Sequence, residues 1–129
     1  MSVGLLLVTH GKLGHYLLDT LREMLGQLPL AADVLEVRRV SSHDVLISQG
    51  RKMIERLDSG SGVLILTDAF GSTPSNIANK LCTDSRTAVV AGINLPMLVR
   101  IFNYPHLPLR EMTRSAVEGG SRGIIECPR

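Results

Sequence analysis

Val3-Gly4-Leu5-Leu6-Leu7-Val8-Thr9-His10-Gly11 opens the chain with an apolar run that ends on a histidine. A continuous apolar run of this length is expected of a strand buried on both faces, as in a parallel sheet. Leu13, Leu17, Leu21, Met24, Leu25 and Leu28 follow at helical intervals, and Gly26 and Pro29 close that helix. The stretch therefore reads as the first strand-to-helix unit of an α/β fold, with His10 at the carboxyl edge of the strand, where ligands and chemistry collect. A histidine there is a nucleophile, a general base or an anion contact.

The same alternation of short apolar runs with helical spacing repeats along the chain. Val34 to Val40 alternates apolar and charged residues, as a strand near the sheet edge does, and Asp44 is the expected N-cap of a helix with the stripe Leu46, Ile47, Met53, Ile54 and Leu57. A Ser/Gly loop at Ser59 to Gly62 leads to Val63-Leu64-Ile65-Leu66, which ends at Thr67-Asp68. Thr73 followed by Pro74 fits the N-cap and first turn of a third helix through Ile77, Ala78 and Leu81. Thr87 to Ala91 is the fourth strand, and Gly92-Ile93-Asn94-Leu95-Pro96 leads to a short apolar face at Leu98, Ile101 and Phe102.

The last quarter departs from the pattern. Pro105 and Pro108 interrupt it, a helix is expected from Leu109 to Val117, and Gly119-Gly120 is expected to end it. Gly123-Ile124-Ile125-Glu126-Cys127 then reads as a short strand. So apolar an edge strand is an aggregation hazard unless it is covered, so it is expected to pair or swap across a homodimer. The predicted fold is a three-layer αβα sandwich with a mainly parallel, flavodoxin-like sheet of four strands plus this C-terminal edge strand. Residues 1–129 form one expected domain, with neither linker nor repeat.

Composition narrows the function. Fourteen Lys and Arg against twelve Asp and Glu leave a formal charge of +2, spread along the chain, so neither nucleic acid nor acidic lipid is called for. No apolar stretch approaches the roughly 18 to 20 residues that span a bilayer, and Met1-Ser2-Val3-Gly4 lacks a charged leader, so a cytoplasmic protein is expected. Cys82 and Cys127 fit no metal-type or CxxC spacing and are expected to be reduced. His15, His43 and His106 have no ligand partners at useful spacings, and the chain holds neither a GxxxxGK[ST] loop nor a Gly-rich nucleotide fingerprint. No metal and no cofactor are expected, and ATP is not the expected donor.

Strands one and three are expected to be neighbours where the winding direction reverses, which brings His10 to the loop Asp68-Ala69-Phe70-Gly71-Ser72-Thr73-Pro74. A carboxylate that accepts a hydrogen bond from one ring nitrogen fixes the tautomer and leaves the other lone pair free to attack. Asp68 suits that role. Gly71 permits close backbone approach, while Thr73 offers a hydroxyl and helix-terminal N–H groups to an anionic oxygen. These parts suit a phosphoryl group carried on His10. An unperturbed histidine titrates near about 6.5, so no strong base is needed. Phe70 is a candidate anchor for an incoming partner, and Arg38, Arg39, Met97 and Arg100 are candidates to ring the same edge. His15, one turn beyond Gly11, reads as a surface residue or as one that borders and supports the site.

Three blocks carry a family resemblance: Thr9-His10-Gly11, Thr67-Asp68-Ala69-Phe70-Gly71-Ser72-Thr73-Pro74-Ser75-Asn76, and Gly92-Ile93-Asn94-Leu95-Pro96-Met97-Leu98. Their order and spacing resemble the IIA component of the mannose-type branch of the bacterial phosphoenolpyruvate-dependent sugar phosphotransferase system, over nearly the whole chain. The resemblance implies a phosphohistidine on His10, charged by the phosphocarrier HPr and discharged to a IIB protein in carbohydrate uptake. It further implies Asp68 as the orienting carboxylate, Thr73 as a phosphoryl contact, and Gly71 and Ser72 as the phosphate-binding loop. Membrane association is then at most indirect, through a permease complex.

One departure stands out: Ser72 occupies a position where the family usually has a second glycine, which is expected to reshape the anion pocket slightly. With neither linker nor IIB region after Arg129, the expected acceptor is a separate protein. Related readings stay open at this level: a regulatory phosphohistidine switch without transport, the phosphotransfer subunit of a dihydroxyacetone kinase, and, further off, a flavodoxin-like ligand-binding domain without chemistry.

Overall fold

A computed structural model describes residues 2–128. Its elements are β1 (Gly4–His10), α1 (Leu13–Leu25), β2 (Ala32–Val37), α2 (His43–Leu57), β3 (Val63–Thr67), α3 (Thr73–Leu81), β4 (Thr87–Ala91), α4 (Leu95–Asn103) and α5 (Leu109–Arg122). The strands form one sheet in the order β2-β1-β3-β4, and every pairing is parallel. The chain winds outward from β1 to β2 and then reverses to β3 and β4. The switch point thus falls between β1 and β3.

Side chains alternate across a strand, and this divides the core into two layers. Leu5, Leu7, Leu64 and Leu66 join Leu18 and Leu21 of α1, Leu98 and Ile101 of α4, and Met112 and Ala116 of α5. Leu6, Val8, Val63 and Ile65 join Leu46 of α2 and Ile77, Ala78 and Leu81 of α3. All of β3 and all of β1 except His10 are buried. The apolar runs are continuous because each face meets a helical layer.

Several boundaries differ from the sequence expectation. β2 spans Ala32–Val37 rather than Val34 to Val40, because its partner β1 ends with His10 opposite Val37 and nothing continues the ladder. Ser42 occupies the N-cap position of α2 in extended conformation, without a side-chain hydrogen bond to the helix, and Asp44 lies in the first turn, where its charge favours the positive helix end. Both cysteines are free and exposed. Among the described residues no helix is long and apolar enough to cross a membrane.

The largest difference is at the end of the chain. α5 runs through Gly119 and Gly120 to Arg122 and is capped by Gly123. The two glycines do not stop the helix because they are buried against α4: a Cβ on Gly119 would stand 2.5 Å from Arg100 Cβ, and one on Gly120 would stand 3.0 Å from Met97 Cε. Gly123-Ile124-Ile125-Glu126-Cys127 forms no strand within the described chain, and Ile124 and Ile125 stay 79% and 71% exposed. Among the described residues the sheet accordingly has four strands and no fifth.

This helix contact gives a test of packing. Alanine gains about the same helix propensity, roughly 1 kcal/mol, at either glycine, so a difference between the two variants reports the contact. Gly119→Ala meets the stiff base of Arg100, whereas Gly120→Ala meets the flexible end of Met97. Chemical denaturation should place Gly119→Ala below Gly120→Ala by about 1–3 kcal/mol, the usual cost of overpacking. Equal stabilities would show that α4 and α5 are not packed this closely.

Candidate functional site

The carboxyl end of β1 delivers His10 to the surface while Thr9 before it stays buried. Thr9 Oγ1 accepts from the Gly14 N–H at 2.9 Å, tying the start of α1 to the strand end. Between them Gly11 takes a φ of +49°, in the left-handed region that glycine tolerates best. The turn therefore leaves the imidazole standing clear of both elements. Its side chain is 61% exposed.

Asp68, one residue past β3, meets it from the neighbouring strand. Asp68 Oδ2 accepts from the His10 backbone N–H at 2.8 Å and lies 2.7 Å from His10 Nδ1. An ionised carboxylate has no proton to give, so this contact is a hydrogen bond only when Nδ1 carries the proton. Nε2 then holds the free lone pair. Asp68 Oδ1 accepts from the Ala69 N–H at 2.8 Å and has Ser72 Oγ 3.2 Å away, so each oxygen is held by a backbone N–H. Desolvation of the carboxyl is the largest influence on it and raises its pKa. The hydrogen bonds from the His10 backbone, the His10 ring and the Ala69 N–H outweigh that and hold the group below its ordinary range.

The loop after Asp68 folds into the start of α3. Gly71 has a φ of +85°, and its N–H donates to Ser75 Oγ at 3.3 Å. Ser72, not Thr73, is the N-cap: its Oγ accepts from the Ser75 N–H at 3.4 Å and donates to the Ala69 carbonyl at 2.6 Å. Thr73 is the first helical residue and is exposed, and Pro74 after it is buried. Pro74 has no N–H and that of Ser75 is used, so the Thr73 N–H is the orphan donor of this helix end. Ser72, at the position where the resemblance led to the expectation of a glycine, thus caps α3 and lies 3.2 Å from Asp68 Oδ1. A hydroxyl beside a carboxylate four residues earlier was the sequence signal for this.

The other candidates separate. Phe70 is 87% exposed in the same loop. Met97 is 3% exposed in the core and presents no surface to a partner, a correction to its expected place at the rim. Its position on the inner face of α4, against Gly120 of α5, is the reason. Arg100 pairs with Glu118 of α5 at 3.4 Å. His15 is exposed as expected, yet its Nε2 lies 3.1 Å from Glu36, a contact that spacing alone did not reveal. Among the described residues no cluster of three His, Cys, Asp or Glu could hold a metal ion.

Fold and site together define a doubly wound α/β domain with a carboxylate-oriented histidine at the switch point of its sheet. The chain belongs to the mannose-type IIA family of the sugar phosphotransferase system: residues 4–109 match the EIIA-man family model, PTS system fructose IIA component. It is 30% identical over 127 residues to the PTS system mannose-specific EIIAB component of Escherichia coli K12, a match over 96% of this chain and 39% of that protein. The chain thus spans about two fifths of that relative's length. The fold is similar to that of the mannose/sorbose specific IIA subunit of Enterococcus faecalis, with a TM-score of 0.85 at 24% identity over 100% of this chain and 98% of that one. It is also similar to a phosphotransferase system EIIA from Streptococcus agalactiae, with a TM-score of 0.82 at 20% identity over 96% of each chain.

Proposed function

We propose that the protein is a cytoplasmic phosphoryl carrier that accepts a phosphoryl group from phospho-HPr on His10 and passes it to a IIB partner in carbohydrate uptake. The observation that carries this reading is the 2.7 Å contact between His10 Nδ1 and Asp68, which leaves Nε2 as the nucleophile. In the transfer the Nε2 lone pair forms a bond to phosphorus as the donor's N–P bond breaks, and that electron pair returns to the donor imidazole. Discharge to IIB is the same exchange with His10 as leaving group. Such transfers depend on in-line positioning and on stabilising charge over the phosphoryl oxygens. The Thr73 hydroxyl and N–H supply neutral donors at the start of α3, and the Gly71-Ser72 turn, whose own N–H groups go to Ser75 Oγ and the Ala69 carbonyl, sets their position.

Asp68 has a second task as the imidazole becomes a phospho-imidazole, because its negative charge favours the cationic ring that forms when Nε2 attacks. Phe70 is the anchor for the incoming partner, since a large exposed aromatic beside the nucleophile can bury its face only in a complex. The test is incubation with phosphoenolpyruvate, enzyme I and HPr, which should place acid-labile, base-stable phosphate on the chain. No transfer from phospho-HPr would overturn the assignment.

The exposed Ile124-Ile125 tail supports a homodimer in which this segment pairs with the partner copy, since an apolar pair so open to water gains by burial. Sedimentation should find a dimer at micromolar concentration, and Ile124→Asp with Ile125→Asp should shift it toward monomer. A wild-type chain that stays monomeric would exclude the pairing.

A further inference from the structure

A second cluster stands at the carboxyl edge on the β2 side of His10, across β1 from Asp68. Glu36 uses its two oxygens separately: Oε1 accepts from Arg38 Nη2 at 2.7 Å, and Oε2 lies 3.1 Å from His15 Nε2. The register explains why Arg38 is there. His10 lies opposite Val37 in the β1–β2 ladder, and the Gly11 N–H donates to the Val37 carbonyl at 2.9 Å. Arg38 therefore runs beside the turn that follows His10. Its Nη1 lies 3.8 Å from where a Cβ on Gly11 would stand.

We propose that Arg38 is the cationic contact for the phosphoryl group on His10, held ready at the edge of the site by Glu36; this rests on His10 being the phosphoryl acceptor. The charge balance of the site calls for such a group. A phosphoryl group on Nε2 brings negative charge next to Asp68, and the donors on the α3 side are a hydroxyl and backbone N–H groups, all neutral. The guanidinium keeps five donors in a fixed plane, and Glu36 engages Nη2, which leaves Nη1 to turn toward a phosphoryl oxygen. The side chain is 51% exposed, so its open face leaves room for a small swing about the contact with Glu36. His15 on the other oxygen keeps Glu36 from following it. Lys12, the nearest rival in sequence, is exposed and has no carboxylate partner among the described residues, so nothing aims it.

The test compares wild type, His10→Ala, Arg38→Ala, Arg38→Lys and Lys12→Ala, all charged by phospho-HPr, with melting temperature as the control for folding. Phosphate on the wild type and none on His10→Ala establishes the acceptor first; failure at that step overturns the carrier reading and the Arg38 contact together. Given that step, Arg38→Ala should charge about tenfold more slowly, the size of one charge-assisted hydrogen bond at a partly open site. Arg38→Lys should recover part of the rate. In ³¹P NMR the phosphohistidine resonance should titrate at higher pH in Arg38→Ala than in wild type, since loss of a nearby cation disfavours the dianion. A merely structural arginine would not move that midpoint. Rate within twofold of wild type with an unmoved midpoint, or the same effects in Lys12→Ala instead, would overturn the Arg38 contact while leaving His10 as acceptor.

Discussion

His10→Ala is expected to acquire no acid-labile phosphate above background from phospho-HPr, while its melting temperature stays close to that of wild type. The two halves of that result have different physical origins. Loss of phosphorylation follows from the proposed transfer, in which the bond that forms on this protein is the one to His10 Nε2 and no neighbouring group replaces that lone pair. His15, the nearest other histidine in sequence, lies on the far side of Gly11 with its Nε2 against Glu36 at 3.1 Å. Retained stability follows because the imidazole is 61% exposed and contributes nothing to either core layer. Such surface truncations usually cost within about 0.5 kcal/mol. Asp68 keeps the backbone N–H donors of residue 10 and Ala69, which do not depend on the side chain. Radiolabel uptake and a thermal melt on the same preparation check both. Labelling at the wild-type rate would remove His10 from the role.

The second large effect is expected from Asp68→Asn. The amide is nearly isosteric but neutral, so it no longer favours the cationic ring that forms on attack, and because each carboxylate oxygen accepts a backbone N–H, its NH₂ faces one of those donors in either orientation. With the NH₂ toward Nδ1 it favours the tautomer with the proton on Nε2, which then has no lone pair to attack with. A comparable change in an oriented catalytic histidine costs about 10⁴-fold. Here the ring is far more open to water, so a loss of about 10²–10³-fold in charging rate is expected, on the scale of one preorganised electrostatic contact. Rapid-quench measurement of phosphate uptake checks it, and a loss under about threefold would mean that Asp68 does not set the tautomer.

The same substitution should leave a mark on stability that depends on pH. The Asp68 carboxyl is held below its ordinary range in the folded chain, where its hydrogen bonds outweigh desolvation. A depressed folded pKa adds stability in full above the unfolded value, near about 3.9 for aspartate. That stability is lost as pH falls through the lower folded value. Melting temperatures of wild type and Asp68→Asn should therefore differ most near neutral pH and converge in acid.

Parts of this molecule were written plainly in its sequence. The apolar runs Val3 to Val8 and Val63 to Leu66 specify strands buried on both faces, because only a parallel sheet between two helical layers takes up apolar side chains on both sides. Thr9-His10-Gly11 and the Asp68 loop could be placed together for the same reason, since the switch point of a doubly wound sheet lies between its first and third strands. The helix caps that the sequence predicts lie one or two residues too far along. Asp44 and Thr73 are sound cap residues in isolation, and only the path of the preceding backbone shows that Ser42 and Ser72 hold those places.

What the sequence determined by itself was the layering and the His10–Asp68 pair, because periodicity and strand-end position are local properties of the chain. Tertiary packing alone decided the rest. Gly119-Gly120 carries a helix rather than ending one because α4 lies against it, Met97 turns inward for the same reason, and Gly123–Cys127 joins no strand among the described residues. The Glu36–Arg38 pair reaches the edge of the site because β1 and β2 stop together at His10 and Val37. Each of these depends on a partner distant in sequence, and no local pattern records where that partner will be.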